Sequence, residues 1–214
     1  CDKYKDSISI QYLGDKAAKK AAKDLDKDRV IAIFYERSEA GPRALGHRSI
    51  LANPSKKHNW ERVNKIKSRE LWRPFAPACI EEDVGEYFKN DIKSDSLWYM
   101  LLNLEVTDQN LPAITHVDQT ARVQSVNKDA GILYEILCNF KKICGLSVVM
   151  NTSFNGKAQP IVERPEEAIE LLINTDLDAL YLMNYRIKKN TIKSSSKCLK
   201  KKTKAYEKYF CNSV

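Results

Sequence analysis

GILYEILCNFKKICG occupies Gly131 to Gly145 and runs without a break into LSVVMNTSFNG, Leu146 to Gly156. Ile132, Leu133, Ile136, Leu137, Phe140, Ile143 and Cys144 recur at helical spacing, and Gly145 is the residue type that ends a helix in a left-handed turn. Leu146 to Met150 is a short, strongly apolar run of strand length, and Asn151 to Gly156 then turns polar without charge. A helix handing over to a buried strand, and the strand to a polar turn, is the unit of an α/β sheet. Polar turns at the ends of such strands are where ligands bind.

Working outward, Val30 to Tyr35 reads as a second buried strand, followed by a shaped loop with two Gly and a Pro, Arg37 to Ser49. Asp15 to Asp28 suits a surface helix opening at an Asp cap, and Lys57 to Lys67 a polar helix with Trp60, Val63 and Ile66 inward. Strands are expected at 75–80, 98–106, 121–126 and 179–183. A helix starts at Pro165, with Glu166 and Glu167 at its positive end. The expected fold class is α/β, a twisted open mixed sheet with helices packed against it. Strand signals crowded between 75 and 126 imply some antiparallel pairing.

Composition narrows the class further. With 214 residues and 43% hydrophobic content the chain can close a real core, and its apolar runs are too short for a membrane-spanning helix. Six cysteines without a C-x-x-C pair, three of them (Cys79, Cys138, Cys144) in apolar stretches, read as core thiols of a reduced, cytoplasmic protein. The start at Cys1, without Met or a signal peptide, suggests a piece of a longer chain. The net charge of +8 is segregated: ten Lys or Arg stand against one acidic residue from Arg186 onward, leaving 26 basic and 27 acidic residues before it. Residues 1–189 are therefore read as the folded domain and 190–214 as a Lys-rich, solvated tail.

Inside that neutral body, residues 29 to 73 hold eleven basic and four acidic side chains. RSEAGPRALGHRS, 37–49, places Arg37, Arg43 and Arg48 among glycines, a composition suited to an anionic ligand. A basic loop anchored by one structural Arg is the other reading. KIKSRELWRPFAP, 65–77, gathers Lys67, Arg69 and Arg73, with Pro74 and Pro77 stiffening the backbone. Alternatively, Trp72 and Phe75 are core and Arg73 pairs with Glu70. NTSFNG, 151–156, offers Asn151, Ser153 and Asn155 as neutral groups for phosphoryl or carbonyl oxygens, or is a plain capped turn. THVDQTAR, 115–122, adds His116, Asp118 and Arg122. Three irregularly spaced histidines make no metal site.

Four ordered blocks, RSEAGPRALGHRSILANP, NKIKSRELWRPFAPA, LPAITHVDQTARVQSV and VVMNTSFNGKAQPIVERPEEA, make the sequence similar to the C-terminal domain of the antibiotic and nodulation-factor O-carbamoyltransferases. The resemblance implies a YrdC-like fold and an enzyme, a carbamoyltransferase whose C-terminal part forms carbamoyl adenylate from carbamoyl phosphate and ATP. An N-terminal actin-like domain of the same full-length protein would pass the carbamoyl group to an acceptor hydroxyl. Lys67, Arg73 and Arg122 are then the expected catalytic cations, with Arg43, Arg48, Ser49, Asn151, Ser153 and Asn155 binding substrate. ATP is a co-substrate, and Mg²⁺ is expected on its phosphates, held mainly by those oxygens and water, with Asp118 as an outer contact. No protein metal site is expected, and a small residue in place of Gly46 should matter little. No membrane or nucleic-acid partner is expected, the alternative being a basic nucleic-acid-binding module carried by the Lys-rich end.

Overall fold

The computed structural model describes residues 4, 6–89 and 94–190 of the chain. In chain order the elements are β1 (Ile8–Tyr12), α1 (Ala17–Asp26), β2 (Ile31–Phe34), β3 (Arg48–Ala52), α2 (His58–Ile66), β4 (Ala76–Ile80) and α3 (Val84–Tyr87). They continue as β5 (Asn103–Glu105), β6 (Thr120–Arg122), β7 (Gln124–Val126), α4 (Ile132–Cys144), β8 (Val148–Ser153), α5 (Pro165–Asn174), β9 (Ala179–Leu182) and β10 (Tyr185–Lys189). Eight strands form one mixed sheet in the order β1-β10-β9-β2-β3-β8-β4-β7, and β5 pairs with β6 apart from it. Among the described residues only β2–β9 and β4–β7 are parallel.

Alternation within the apolar strands sets the layers. Ile31, Ile33, Leu51, Ala78 and Val149 face one side, against Leu133, Ile136, Leu137 and Phe140 of α4 and the alanine face of α1. Ala17, Ala18, Ala21 and Ala22 are all buried there, so small side chains let α1 lie close to α4. Ala32, Phe34, Ile50, Cys79, Val148 and Met150 face the other side, in one cluster with Val63 and Ile66 of α2 and Leu171 and Leu172 of α5. The mixed α/β sheet flanked by helices agrees with the expected fold class.

Several expectations need correction. Asp15 caps no helix: a short turn over Gly14–Lys16 leads into α1, which has no side-chain cap. Asp95–Tyr99 form a helical turn closed by Met100 in left-handed backbone (φ 54°), so only Asn103–Glu105 of the 98–106 segment is strand. Thr120–Val126 divides at Val123 into β6 of the small sheet and β7 of the large one. The strands β1, β3 and β10 were not anticipated, and β3 takes in the end of the Arg37–Ser49 loop. Cys79 is buried as expected, but Cys144 is exposed. The Lys-rich segment 190–214 lies outside the described residues except for Asn190.

The register gathers the site. β8 runs antiparallel to both neighbours, with Ser49 opposite Ser153 on one side and Ala76 opposite Asn151 on the other. The end of β8, the starts of β3 and β4, and the end of β2 therefore share one edge of the sheet. The loops 35–47 and 67–75 hang over that edge.

Candidate functional site

The 35–47 loop is held by a carboxylate and a guanidinium. Glu39 Oε1 accepts the backbone N–H groups of Leu45 (2.6 Å), His47 (2.8 Å) and Arg48 (3.3 Å). Arg48 donates from Nη1 to the carbonyls of Tyr35 (2.8 Å) and His47 (3.1 Å), and from Nη2 to that of Glu36 (2.9 Å). Its guanidinium lies 3.5 Å over the Phe34 ring. Burial lowers its pKa, against the pull of Glu163 and Glu39. Arg48 is thus the anchor of the loop and does not line the hollows described below. Ser49, sealed inside the sheet with an unpartnered Oγ, does not line them either. At Gly46 (φ 122°) an added Cβ would lie 2.8 Å from Leu133 Cβ, so a small residue there is not neutral.

The 67–75 turn begins where α2 ends. Ser68 takes a left-handed conformation (φ 48°), an unusual choice for a non-glycine residue, and separates Lys67 from Arg69. Asn64, fully buried on α2, accepts from Arg69 Nε (2.6 Å) and donates to the carbonyls of Leu71 and Arg73, both at 3.1 Å. Trp60 Nε1 also donates to the Arg73 carbonyl (2.8 Å). The turn is held by α2 as well as by Pro74.

Lys67 is an unusually placed charge. Its side chain is buried, the residue being 6% exposed, and Nζ donates to the Ser153 carbonyl (2.6 Å), Ser153 Oγ (3.1 Å) and Asn155 Oδ1 (2.6 Å). All three acceptors are neutral. Burial, with the neighbouring Arg69 charge added, pulls its pKa from 10.5 to about 7. Burial and then Arg73 likewise bring Arg69 down to about 10. A buried ammonium without a counter-charge is costly, and a bound anion would relieve the cost.

Two adjoining hollows open beside it, sharing Arg69 and Ser153. The inner one, about 120 Å³, is lined by Arg43, Arg69, Arg122, Asn151, Thr152 and Ser153 among others, with no carboxylate. Burial and then Arg43 lower the pKa of Arg122, whose Nε is buried without a partner. The outer one, about 720 Å³, takes in Lys67, Arg69, Arg73, Asn155, Gly156 and Lys157, and its carboxylate is Glu70. Glu70 is occupied by Arg73, whose Nε lies 2.8 Å from Oε2 with both side chains about half exposed.

Of the residues singled out from sequence, Arg43, Arg122, Asn151 and Ser153 meet at the inner hollow. Lys67, Arg73, Ser153 and Asn155 meet at the outer one, and Arg48 and Ser49 lie behind the wall. Both readings of the second block apply in part: Phe75 is core and Arg73 pairs with Glu70, but Trp72 is 71% exposed. Ser153 and Asn155 use their oxygens to hold Lys67. Asp118, exposed, caps the Thr120 N–H (3.0 Å) and hydroxyl (2.7 Å), and it borders neither hollow. Arg69, to which the sequence gives no site role, borders both hollows; its cue is the charge two residues after Lys67 in a Pro-stiffened turn. Among the described residues no three His, Cys, Asp or Glu gather to hold a metal.

A domain with a cation-lined cleft at the strand ends of a mixed α/β sheet is the class this geometry defines. Residues 22–189 match the Carbamoyltransferase C-terminus family, and the chain belongs to it. It is 41% identical over 182 residues to nodulation protein NolNO of Sinorhizobium fredii (strain NGR234), covering 83% of this chain and 27% of the relative. It is 40% identical over 144 residues to the 3'-hydroxymethylcephem-O-carbamoyltransferase of Amycolatopsis lactamdurans, covering 66% of this chain and 27% of the relative. The chain thus spans under a third of these relatives.

Among solved structures, it resembles full-length HypF in the phosphate- and nucleotide-bound form, with TM-score 0.56 and 21% identity, covering 81% of this chain and 24% of HypF. It also resembles P. abyssi Sua5 complexed with L-threonine, with TM-score 0.54 and 14% identity, covering 77% of this chain and 46% of Sua5. The fold is YrdC-like. No helix among the described residues is long and apolar enough to cross a membrane.

Proposed function

We propose that this domain binds carbamoyl phosphate and ATP and joins them into carbamoyl adenylate, for transfer to an acceptor hydroxyl by an actin-like N-terminal domain of the longer protein. The observation that carries the reading is Lys67, a buried ammonium held only by neutral oxygens, beside a hollow lined by Arg43, Arg69 and Arg122 without a carboxylate. Such a set repels cations and takes small multiply charged anions. The inner hollow suits carbamoyl phosphate, and the larger outer one the nucleotide's phosphates. Mg²⁺ would arrive with ATP.

In this reading water cleaves carbamoyl phosphate to carbamate and inorganic phosphate. A carbamate oxygen then attacks the α-phosphorus of ATP, and the bond to pyrophosphate breaks. Charge moves between phosphoryl oxygens throughout, so fixed guanidinium groups and the Lys67 ammonium stabilise the transition states by position alone. No side-chain nucleophile is needed. Carbamoyl-phosphate-dependent release of pyrophosphate from ATP tests it. Arg122→Ala, which removes one clamping cation, should slow release by about 30- to 1000-fold, corresponding to roughly 2–4 kcal/mol. Pyrophosphate release that ignores carbamoyl phosphate, or an Arg122→Ala protein as fast as wild type, defeats the reading.

A further inference from the structure

One residue bordering the inner hollow carries a polar atom that a site built only for negative charge does not explain. Asn151, on β8, is 1% exposed and borders the hollow. Its Nδ2 donates to Gln124 Oε1 (2.8 Å) and to the Ala44 carbonyl (3.1 Å), while its Oδ1 is buried without a partner. The amide cannot turn over to hide that oxygen. Turning it would set Oδ1 against two acceptors, Gln124 Oε1 and the Ala44 carbonyl. Gln124 cannot turn with it, because its own Nε2 donates to the Leu45 carbonyl (2.9 Å). Two buried amides and the 35–47 loop therefore fix an unpaired acceptor on a residue that borders the hollow.

A ligand of phosphate oxygens alone would satisfy Arg43, Arg69 and Arg122 but leave Asn151 Oδ1 unpaired, or set a second acceptor near it. A ligand with both anionic oxygens and an N–H group satisfies them all. We infer that Asn151 Oδ1 accepts a hydrogen bond from the amide N–H of the acyl phosphate, making Asn151 the residue that selects a carbamoyl group over an alkyl acyl group. This inference rests on the reading of the inner hollow as the carbamoyl phosphate site and assigns its specificity.

Carbamoyl phosphate and acetyl phosphate differ only in NH₂ against CH₃, so their affinities for the whole chain, measured calorimetrically, isolate the contact. Wild type should favour carbamoyl phosphate by about 10- to 100-fold, the range expected when a buried polar group loses its partner. Asn151→Ala should bring the two ligands within about threefold of each other, chiefly by weakening carbamoyl phosphate. Gln124→Met, which frees the amide to turn, should reduce the preference too and decides the matter if Asn151→Ala fails to fold. Equal wild-type affinities, or a preference kept in both variants, overturns the assignment while leaving an acyl phosphate site in place. If wild type binds neither compound, the reading of the hollow falls and the assignment with it.

Discussion

Sulfate keeps two negative charges from about pH 6 to about pH 9, so its binding reports the protein's protonation and not its own. Lys67 is buried, has only neutral acceptors and, before an anion binds, loses its proton near pH 7. A bound dianion favours the ammonium and returns its pKa toward the ordinary Lys value, so binding takes up a proton above neutrality. If only the charged form binds, apparent affinity scales with the protonated fraction, nine-tenths near pH 6 and about one-hundredth near pH 9 for a pKa of 7. The wild-type dissociation constant should rise by about 90-fold across that range. Arg69, at about 10, stays charged throughout. Calorimetry in two buffers of different ionisation enthalpy should show uptake of close to one proton per sulfate near pH 8. Lys67→Met should bind weakly at every pH, with a nearly flat profile and no proton uptake. A flat wild-type profile, or a slope that survives Lys67→Met, refutes the idea that this ammonium is the titrating anion receptor.

The same group alters stability. The unfolded chain keeps the Lys67 proton to about pH 10.4 and the fold releases it near 7, so between those values unfolding takes up a proton and wild-type stability rises with pH, at most about 1.4 kcal/mol per unit. Urea unfolding of Lys67→Met should lack that rise. At Asp24, burial pushes the carboxyl up but hydrogen bonds from Tyr181 (2.8 Å) and Arg186 (2.7 Å) outweigh it, so the pKa lies below the usual carboxylate range. Its stabilisation is present above about pH 4 and lost as pH falls through the depressed value. Asp24→Asn should cost about 3–5 kcal/mol near neutrality and show less loss in acid. Gly46→Ala meets both a left-handed backbone and Leu133, so its denaturation midpoint should fall by the equivalent of about 2–4 kcal/mol. Glu70→Gln removes the carboxylate bordering the outer hollow, so it should tighten sulfate by about two- to fivefold with little change in stability; weaker binding would mean that Glu70 orients Arg73 instead.

What could be read from sequence follows from how local each signal is. α4 and the strand after it were legible because one apolar period runs into another across Gly145, whose φ of 83° is the left-handed stop the residue type foretells. β1 and β10 were not, since as neighbours at the sheet edge they carry Ser9, Gln11, Lys188 and Lys189 and resemble solvated chain. Segment 98–106 had the apolar content of a strand, but Met100 in left-handed backbone broke it, and the inward positions went to a helical turn. The block containing Arg48 was legible as basic, yet a charge count cannot distinguish an arginine spent on three carbonyls from one left for a ligand.

That distinction depends on where the acceptors are. Arg48 meets carbonyls its own loop presents, so its charge is absorbed locally and its guanidinium closes the loop. Lys67 finds its acceptors 86 and 88 residues away, at the end of β8 and in the turn after it, and that pairing exists only once the antiparallel register of β8 with β3 and β4 has formed. The anion site is therefore a product of sheet register: the folding that buries Met150 and Val149 also carries Ser153 to Lys67 and leaves the ammonium without a carboxylate. A slip of one residue in β8 would turn Asn151 and Ser153 to the opposite face and bury Thr152 in their place, dismantling the Lys67 cradle and the Asn151–Gln124 pair together.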